Sequence, residues 1–262
     1  NSISGAATNV HLSQPAITQA IAKLETTLKT RLFDRSRNGM FLTEPGGIFQ
    51  KRVNRGLILI KEGARLATKI GSTSKARGFT HFDQLVTSSQ LSSLVAVAQA
   101  GNFTLAARLI EISQPTLHRT ARDLERLSGL DIFNKTSRGI ELTPAATVLT
   151  QYVRLAFSEL EQGLEEIKNW HGEDTGRIVI GTLPLARTYV LPTAINALLR
   201  KRPEVDVSVI DGPYADLLSG LRQGEIDVLI GALRDPLPID DVVQEELFKD
   251  TLAIIGRSGH PL

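Results

Sequence analysis

No cysteine occurs in this 262-residue chain, which excludes disulfides, thiolate metal sites and cysteine redox sensing. Histidine is sparse as well: His11, His81, His118, His171 and His260 are scattered and offer no close pair for a metal ion. No apolar run approaches the roughly eighteen residues of a membrane span, and the start, Asn1-Ser2-Ile3, has neither a basic cluster nor an apolar signal segment. The chain therefore reads as cytoplasmic, with no membrane partner. Catalytic signatures are missing too. No nucleophile-base arrangement, metal cluster or phosphate-binding glycine loop is visible, so no cofactor is expected and the chain is not read as an enzyme.

What is present is globular material, 42% hydrophobic and 22% charged, enough for two or three domains with their own cores. The net charge of +2 conceals a division. Residues 1–171 hold 21 Lys+Arg against 14 Asp+Glu, whereas 172–262 hold 9 against 14. A basic two-thirds points to a polyanionic partner, and the acidic remainder to something else.

One passage is written twice, one hundred residues apart. Residues 2–43 and 102–143 align without a gap, sharing Ala6/Ala106, Ala7/Ala107, Ser13/Ser113, Gln14/Gln114, Pro15/Pro115, Leu24/Leu124, Glu25/Glu125, Phe33/Phe133, Gly39/Gly139, Leu42/Leu142 and Thr43/Thr143. In the second copy Leu91 to Gly101 reads as a helix with a glycine C-cap. Thr104 is placed to cap the next helix, with Phe103, Ala107 and Ile110 on one face. Ser113 caps a third helix, Pro115 sits in its first turn, and Leu117, Ala121, Leu124 and Leu127 form its buried stripe. The first copy repeats this with Ser4, Ala6-Ala7 and Val10, then Ser13 and the stripe Ile17, Ile21, Leu24 and Leu28. It lacks a counterpart of Leu91–Gly101, which suggests a fragment of a longer chain. Each copy ends in a hairpin with a basic tip: Leu32-Phe33 to Met40-Leu42 around Arg35 and Arg37, and Ile132-Phe133 to Ile140-Leu142 around Lys135 and Arg138.

Ser-Gln-Pro opening a helix, a Leu-Glu pair within it, Leu32-Phe33-Asp34-Arg35, and Leu42-Thr43-Glu44-Pro45-Gly46 together resemble the winged helix-turn-helix of LysR-type transcriptional regulators. The second copy departs from the pattern at Lys135 and Ala146. The resemblance covers nearly the whole chain, but the duplication of that module departs from the usual family layout. It implies a mixed fold: two mainly α winged helix-turn-helix domains with linker helices, then part of an α/β periplasmic-binding-protein-like effector domain. The expected division is 1–70, a flexible linker at 71–82, 83–172, and a first effector lobe at 177–262. Residues 172–176 are the hinge into that lobe.

Ser-Gln-Pro alone reads equally as a helix cap or as the start of a DNA-contacting helix. Repeated ahead of a basic wing, it points to double-stranded DNA, because a recognition helix meets base edges with the polar residues near its N-terminus. The candidate DNA-binding residues are Ser13, Gln14, Pro15, Thr18, Gln19 and Lys23 in the first copy. In the second they are Ser113, Gln114, Pro115, His118, Arg119 and Arg122. Arg35, Arg37, Lys135 and Arg138 are placed for phosphate or minor-groove contact. Glutamine suits adenine and arginine suits guanine, so the two helices are expected to prefer different sequences. Residues 13–55 carry eight Lys+Arg and three Asp+Glu against six and four in 113–155, which gives the first copy the stronger electrostatic footprint. Either both copies engage DNA, or the second serves mainly as a dimerisation or spacing element.

Residues 44–70 and 144–171 read as long amphipathic helices. The second has a seam of Val148, Val153, Leu155, Leu160, Leu164 and Ile167 among Glu159, Glu161, Glu165 and Glu166. The resemblance implies that such a helix pairs with its counterpart in another subunit. A homodimer or homotetramer is then expected, with RNA polymerase a further possible partner. From Arg177 the pattern becomes βαβαβ: Ile178–Thr182, a helix over 190–201, Val205–Ile210, a helix over 214–223 closed by Gly224, and Asp227–Gly231. Ligands of a parallel sheet sit beyond the strands' carboxyl ends, which nominates Thr182, Leu183, Pro184, Asp211, Gly212, Gly231, Ala232 and Leu233. The resemblance implies a small-molecule inducer there. Strand-end capping is the simpler role for Thr182. Val243–Phe248 and Leu252–Arg257 read as two further strands. With one lobe of a two-lobed site present, the chain as given is expected to bind no inducer tightly. An architectural DNA-binding protein without effector control, or an α/β enzyme fused to DNA-binding domains, are the competing readings.

Overall fold

A computed structural model describes residues 13–36, 39–71, 82–136, 139–173, 176–237, 239, 241–249, 257 and 259. The expected opening of the first copy (Ile3 to Val10), Arg37, Arg138 and most of the strand expected at 252–257 lie outside the described residues. The chain first forms α1 (Gln14–Leu28), the strands β1 (Phe33–Ser36) and β2 (Gly39–Leu42), and the long α2 (Glu44–Ile70). It continues through α3 (Phe82–Leu85), α4 (Ser88–Ala100), α5 (Phe103–Leu109), α6 (Gln114–Ser128), β3 (Phe133–Thr136), β4 (Gly139–Leu142) and the long α7 (Pro144–Trp170).

The repeated residues make repeated bonds. Ser13 and Ser113 each cap a helix, the hydroxyl accepting from the N–H of Ala16 or Thr116 at 3.3 Å. The Glu25 carboxylate accepts from the N–H groups of Leu32 and Phe33 at 2.8 and 3.1 Å, and Glu125 does the same for Ile132 and Phe133 at 3.1 and 3.3 Å. Each glutamate thus ties a hairpin to the helix before it. Thr43 and Thr143 start the long helices, accepting from the N–H of Gly46 and Ala146 and donating to the carbonyls of Arg31 and Asp131. Both hairpins keep one register, Phe33↔Leu42 to Ser36↔Gly39 and Phe133↔Leu142 to Thr136↔Gly139.

Packing separates the copies. Leu117, Ala121 and Leu124 are buried, and α4 and α5 supply Val97, Phe103, Ala106 and Ala107 to the cluster around Leu117 and Ala121. The equivalent Ile17, Ile21 and Leu28 are only half-buried, and Leu24 is 37% exposed. The cap of α5 differs from expectation: it is Asn102, whose amide oxygen accepts from Leu105 N–H at 2.7 Å, while Thr104 lies exposed inside the helix. The helix starts at Phe103, so the extended backbone of residue 102 falls at the capping position.

Position 46 gives a test of this asymmetry. A Cβ on Gly46 would lie 2.0 Å from the Leu32 carbonyl oxygen, whereas Ala146 is accommodated with no exposure. Gly46→Ala is expected to cost about 1–3 kcal/mol by overpacking, read as a lowered thermal midpoint.

The helices α2 and α7 run antiparallel against each other. Gly56 meets Ala156, Gly63 meets Tyr152, and Gly163 meets Arg52 and Phe49. The resemblance implied a counterpart helix in another subunit; among the described residues, the counterpart that packs on α2 is α7 of its own chain. Two copies on one chain meet at a high effective concentration, which favours that outcome. The seam also differs from the one expected. On α7 it runs through Leu149, Val153, Ala156, Gly163 and Ile167, with Leu164 38% exposed. From α2, Ile60, Ala64 and Ala67 enter one cluster with Leu91, Leu94, Leu124 and Leu149. The first copy's long helix thus completes the second copy's core.

Arg52 spans the pair, donating to Glu159 at 2.8 Å, to Gln162 at 2.6 Å and to Glu166 at 3.2 and 2.5 Å. These bonds raise the Arg52 pKa, and the Arg52 hydrogen bond holds Glu166 below the ordinary carboxylate range, with Arg55 and Lys51 adding to the effect. A lowered carboxylate pKa contributes stability that is complete above the unfolded value of about 4.3 and is lost as pH falls through the folded value. Thermal midpoints taken from pH 6 down to pH 3 are expected to fall more steeply in the unmodified chain than in Glu166→Gln.

The last part is a three-stranded parallel sheet in the order β6-β5-β7: β5 (Arg177–Thr182), β6 (Asp206–Asp211) and β7 (Val228–Ile230). The helices α8 (Pro184–Arg187), α9 (Val190–Lys201) and α10 (Tyr214–Arg222) connect them. The strand expected at Val243–Phe248 is not formed among the described residues: the segment joins no ladder, and Val243 is 94% exposed.

Candidate nucleic-acid interface and effector pocket

The cap at Ser113 fixes where α6 begins, and the buried stripe fixes which way it faces. Leu117, Ala121 and Leu124 point inward, so Gln114, Arg119 and Arg122 are left exposed. With Pro115, His118, Asp123 and Arg126 they line one open depression. Its floor holds an Asp123–Arg126 ion pair across one helical turn. Arg126 belongs to the same surface and was missed in the sequence, although its spacing of seven from Arg119 puts both on one helix face. His118 does not stand free as expected: its ring stacks on Phe103 at 4.0 Å between centroids, and it is half-buried.

In the first copy Gln14, Gln19 and Lys23 are exposed on α1. The Thr18 hydroxyl turns back and donates to the Gln14 carbonyl at 2.9 Å, which leaves it an acceptor rather than a donor toward a ligand. Where α6 has Arg122 and Arg126, α1 has Ala22 and Thr26. The two faces share a scaffold and differ in charge. Arg35 is exposed on β1, and Lys135 lies on β3 opposite Ile140.

At the other end of the chain the strand register brings the nominated residues together, Thr182 facing Asp211 on one side and Ile230 on the other. Thr182 is fully buried, and its hydroxyl donates to the adjacent Leu183 carbonyl at 3.1 Å. That is the strand-end role. The N–H of Leu183 donates to the Ile230 carbonyl at 3.0 Å. A side chain on Gly231 would strike Leu183 at 2.4 Å, so Gly231 permits a close approach rather than presenting a group. Pro184 opens α8, while Gly212 is half-buried and Ala232 and Leu233 are exposed.

Asp211 was nominated in the sequence, but the two arginines at this end were not. Arg187 pairs with Asp211 at 2.6 Å, and Arg234 lies 4.5 Å over the Tyr214 ring. Neither partner is near the other in sequence, so no motif could announce them. A third contact joins the sheet to the long helix: Arg154 of α7 donates to Gln223 and Glu225, and Gly224 packs on Leu155 and Ser158.

Residues 171–262 match the LysR substrate binding domain, and residues 1–47 and 88–147 match the bacterial regulatory helix-turn-helix protein, lysR family. The HTH-type transcriptional regulator GalR of Pseudomonas putida is 31% identical over 261 residues, covering 100% of this chain and 64% of its own length. The uncharacterized HTH-type regulator YdcI of Escherichia coli is 32% identical over 182 residues, covering 69% of this chain and 59% of its own. Among solved structures, full-length OxyR from Pseudomonas aeruginosa aligns with a TM-score of 0.41 at 27% identity, over 59% of this chain and 52% of that one. The chain spans less than two thirds of the length of these relatives.

Proposed function

The chain belongs to the LysR family of bacterial transcriptional regulators, and from that premise we propose that it binds double-stranded DNA sequence-specifically and regulates transcription under the control of a small-molecule inducer. It acts in the cytoplasm, as a homodimer or homotetramer of longer chains. Residues 1–70 and 83–172 are two winged helix-turn-helix units with their linker helices, joined by 71–82, and 177–262 are the first lobe of the effector domain. Ser13 and Ser113 set the reading helices, with Pro15 and Pro115 in their first turns. Gln14, Gln19, Lys23, Gln114, Arg119 and Arg122 meet bases, whereas Arg35, Arg37, Lys135 and Arg138 meet phosphates.

The observation that carries this reading is the exposed, arginine-lined depression that runs along α6 from Gln114 to Arg126, on a helix whose opposite face is sealed in the core. A helix presented that way offers its N-terminal polar residues to a major groove. The inducer would lie at the carboxyl ends of β5, β6 and β7, near Thr182, Leu183, Pro184, Asp211, Gly231 and Ala232. Arg154 ties that lobe to α7, which gives a ligand-dependent shift a route to the reading helices. Gel retardation on the DNA upstream of the protein's own gene, with excess nonspecific competitor, tests the proposal. A retained complex whose affinity falls steeply with salt is expected; loss of all binding to the competitor would contradict it.

A further inference from the structure

Contacts between α2 and α7 are reciprocal in the manner of a two-fold dimer. Gly56 and Ala156, which meet at the crossing, occupy equivalent places in the two copies. Gly63 against Tyr152 and Gly163 against Arg52 are one contact made twice, since each pair is the other shifted by the repeat. In a two-fold interface residue i touches j and j touches i; here a single chain satisfies that rule. The reading helices α1 and α6 hang from these long helices through the same links, Glu25 with Thr43 and Glu125 with Thr143.

Charge selects this pairing. If two copies of α2 paired in the same geometry, Arg52 would face Leu59, Glu62 and Leu66 in place of Glu159, Gln162 and Glu166. Two copies of α7 would set Tyr152 against those carboxylates with no cation. The full set of partners exists only between the first copy and the second.

A regulator built as a symmetric dimer reads two like half-sites, because each subunit presents the same side chains. This pair does not. Gln19, Ala22 and Thr26 on one helix stand where Arg119, Arg122 and Arg126 stand on the other. Resting on the DNA-binding function proposed above, we infer that one chain is a complete reading unit. Its α2–α7 pair sets two unlike heads for a duplex with two dissimilar half-sites, one guanine-rich under the arginines of α6 and one read through the glutamines of α1.

Selection from a random duplex library tests this with the chain itself, with Gln19→Ala/Lys23→Ala, and with Arg119→Ala/Arg122→Ala. The unmodified chain is expected to enrich two unlike half-sites in fixed order and spacing, and each variant to relax one of them only. A base-pair change in either half-site then lowers affinity roughly tenfold. The same unlike pair repeated in inverted order would also support the inference, with two chains bound. An inverted repeat of one half-site, or relaxation of both halves by either variant, would overturn it while leaving DNA binding intact. No enrichment of any sequence would overturn the DNA-binding function, and this inference with it.

Discussion

Replacing Gln114, Arg119 and Arg122 together by alanine is expected to weaken binding to a cognate duplex about a hundredfold or more. The side chains are exposed on one face of α6, and their loss leaves the buried stripe of that helix untouched. A bidentate side-chain–base contact discriminates by roughly 1–3 kcal/mol, and two arginines are removed. If one of those arginines neutralises a phosphate, the slope of log affinity against log salt becomes shallower by about 0.9. The matching triple on α1, at Gln14, Gln19 and Lys23, removes a single cation and is expected to change the slope less. Charge counting alone favours the first copy, but Arg52 sits on α7 carboxylates and is committed away from DNA. Unchanged affinity and slope in the α6 triple would show that the second copy is a spacing element.

Arg52→Glu is expected to be the most damaging single change at the helix pair. It places a carboxylate against Glu159 and Glu166, where an arginine only 17% exposed now bridges both. Reversing the charge in this partly buried bridge, where Glu166 is 39% exposed, costs about 2 kcal/mol, which for a chain of this size corresponds to a thermal midpoint lower by on the order of 5 °C. Adding Glu159→Arg and Glu166→Arg to the same chain restores complementary charge and should recover most of the loss. A midpoint unmoved by Arg52→Glu would mean that the bridge contributes nothing to the pair, as many exposed ion pairs do not.

The repeat made much of the local structure legible. Capping residues, turn glycines and a 3.6-residue apolar period are local signals, so α1, α2, α6, α7 and both hairpins follow from them to within a residue or two. The parallel strands emerged for the same reason. What the sequence could not show were pairings between distant residues. Arg52 and Glu166 are ordinary surface residues until two helices are set antiparallel, and only the crossing explains why positions 56, 63 and 163 are glycine. His118 looked outward by helical phase, yet a neighbouring aromatic, Phe103, captures its ring. Val243–Phe248 has strand-like composition, but among the described residues it lies against no strand, and composition does not report that. Glu25 and Glu125 were visible as a shared letter, and their role in holding the hairpins required the bonds themselves.

The helices α2 and α7 hold two reading units together within one chain. Because the chain has no cysteine, spin labels can be placed at will on the exposed Lys51→Cys of α2 and Glu161→Cys of α7. The distance between them, measured first alone and then with a large excess of unlabelled chain, separates pairing within a chain from pairing between chains. One short distance, undiminished by dilution, is the predicted result; a short distance that disappears on dilution would contradict it.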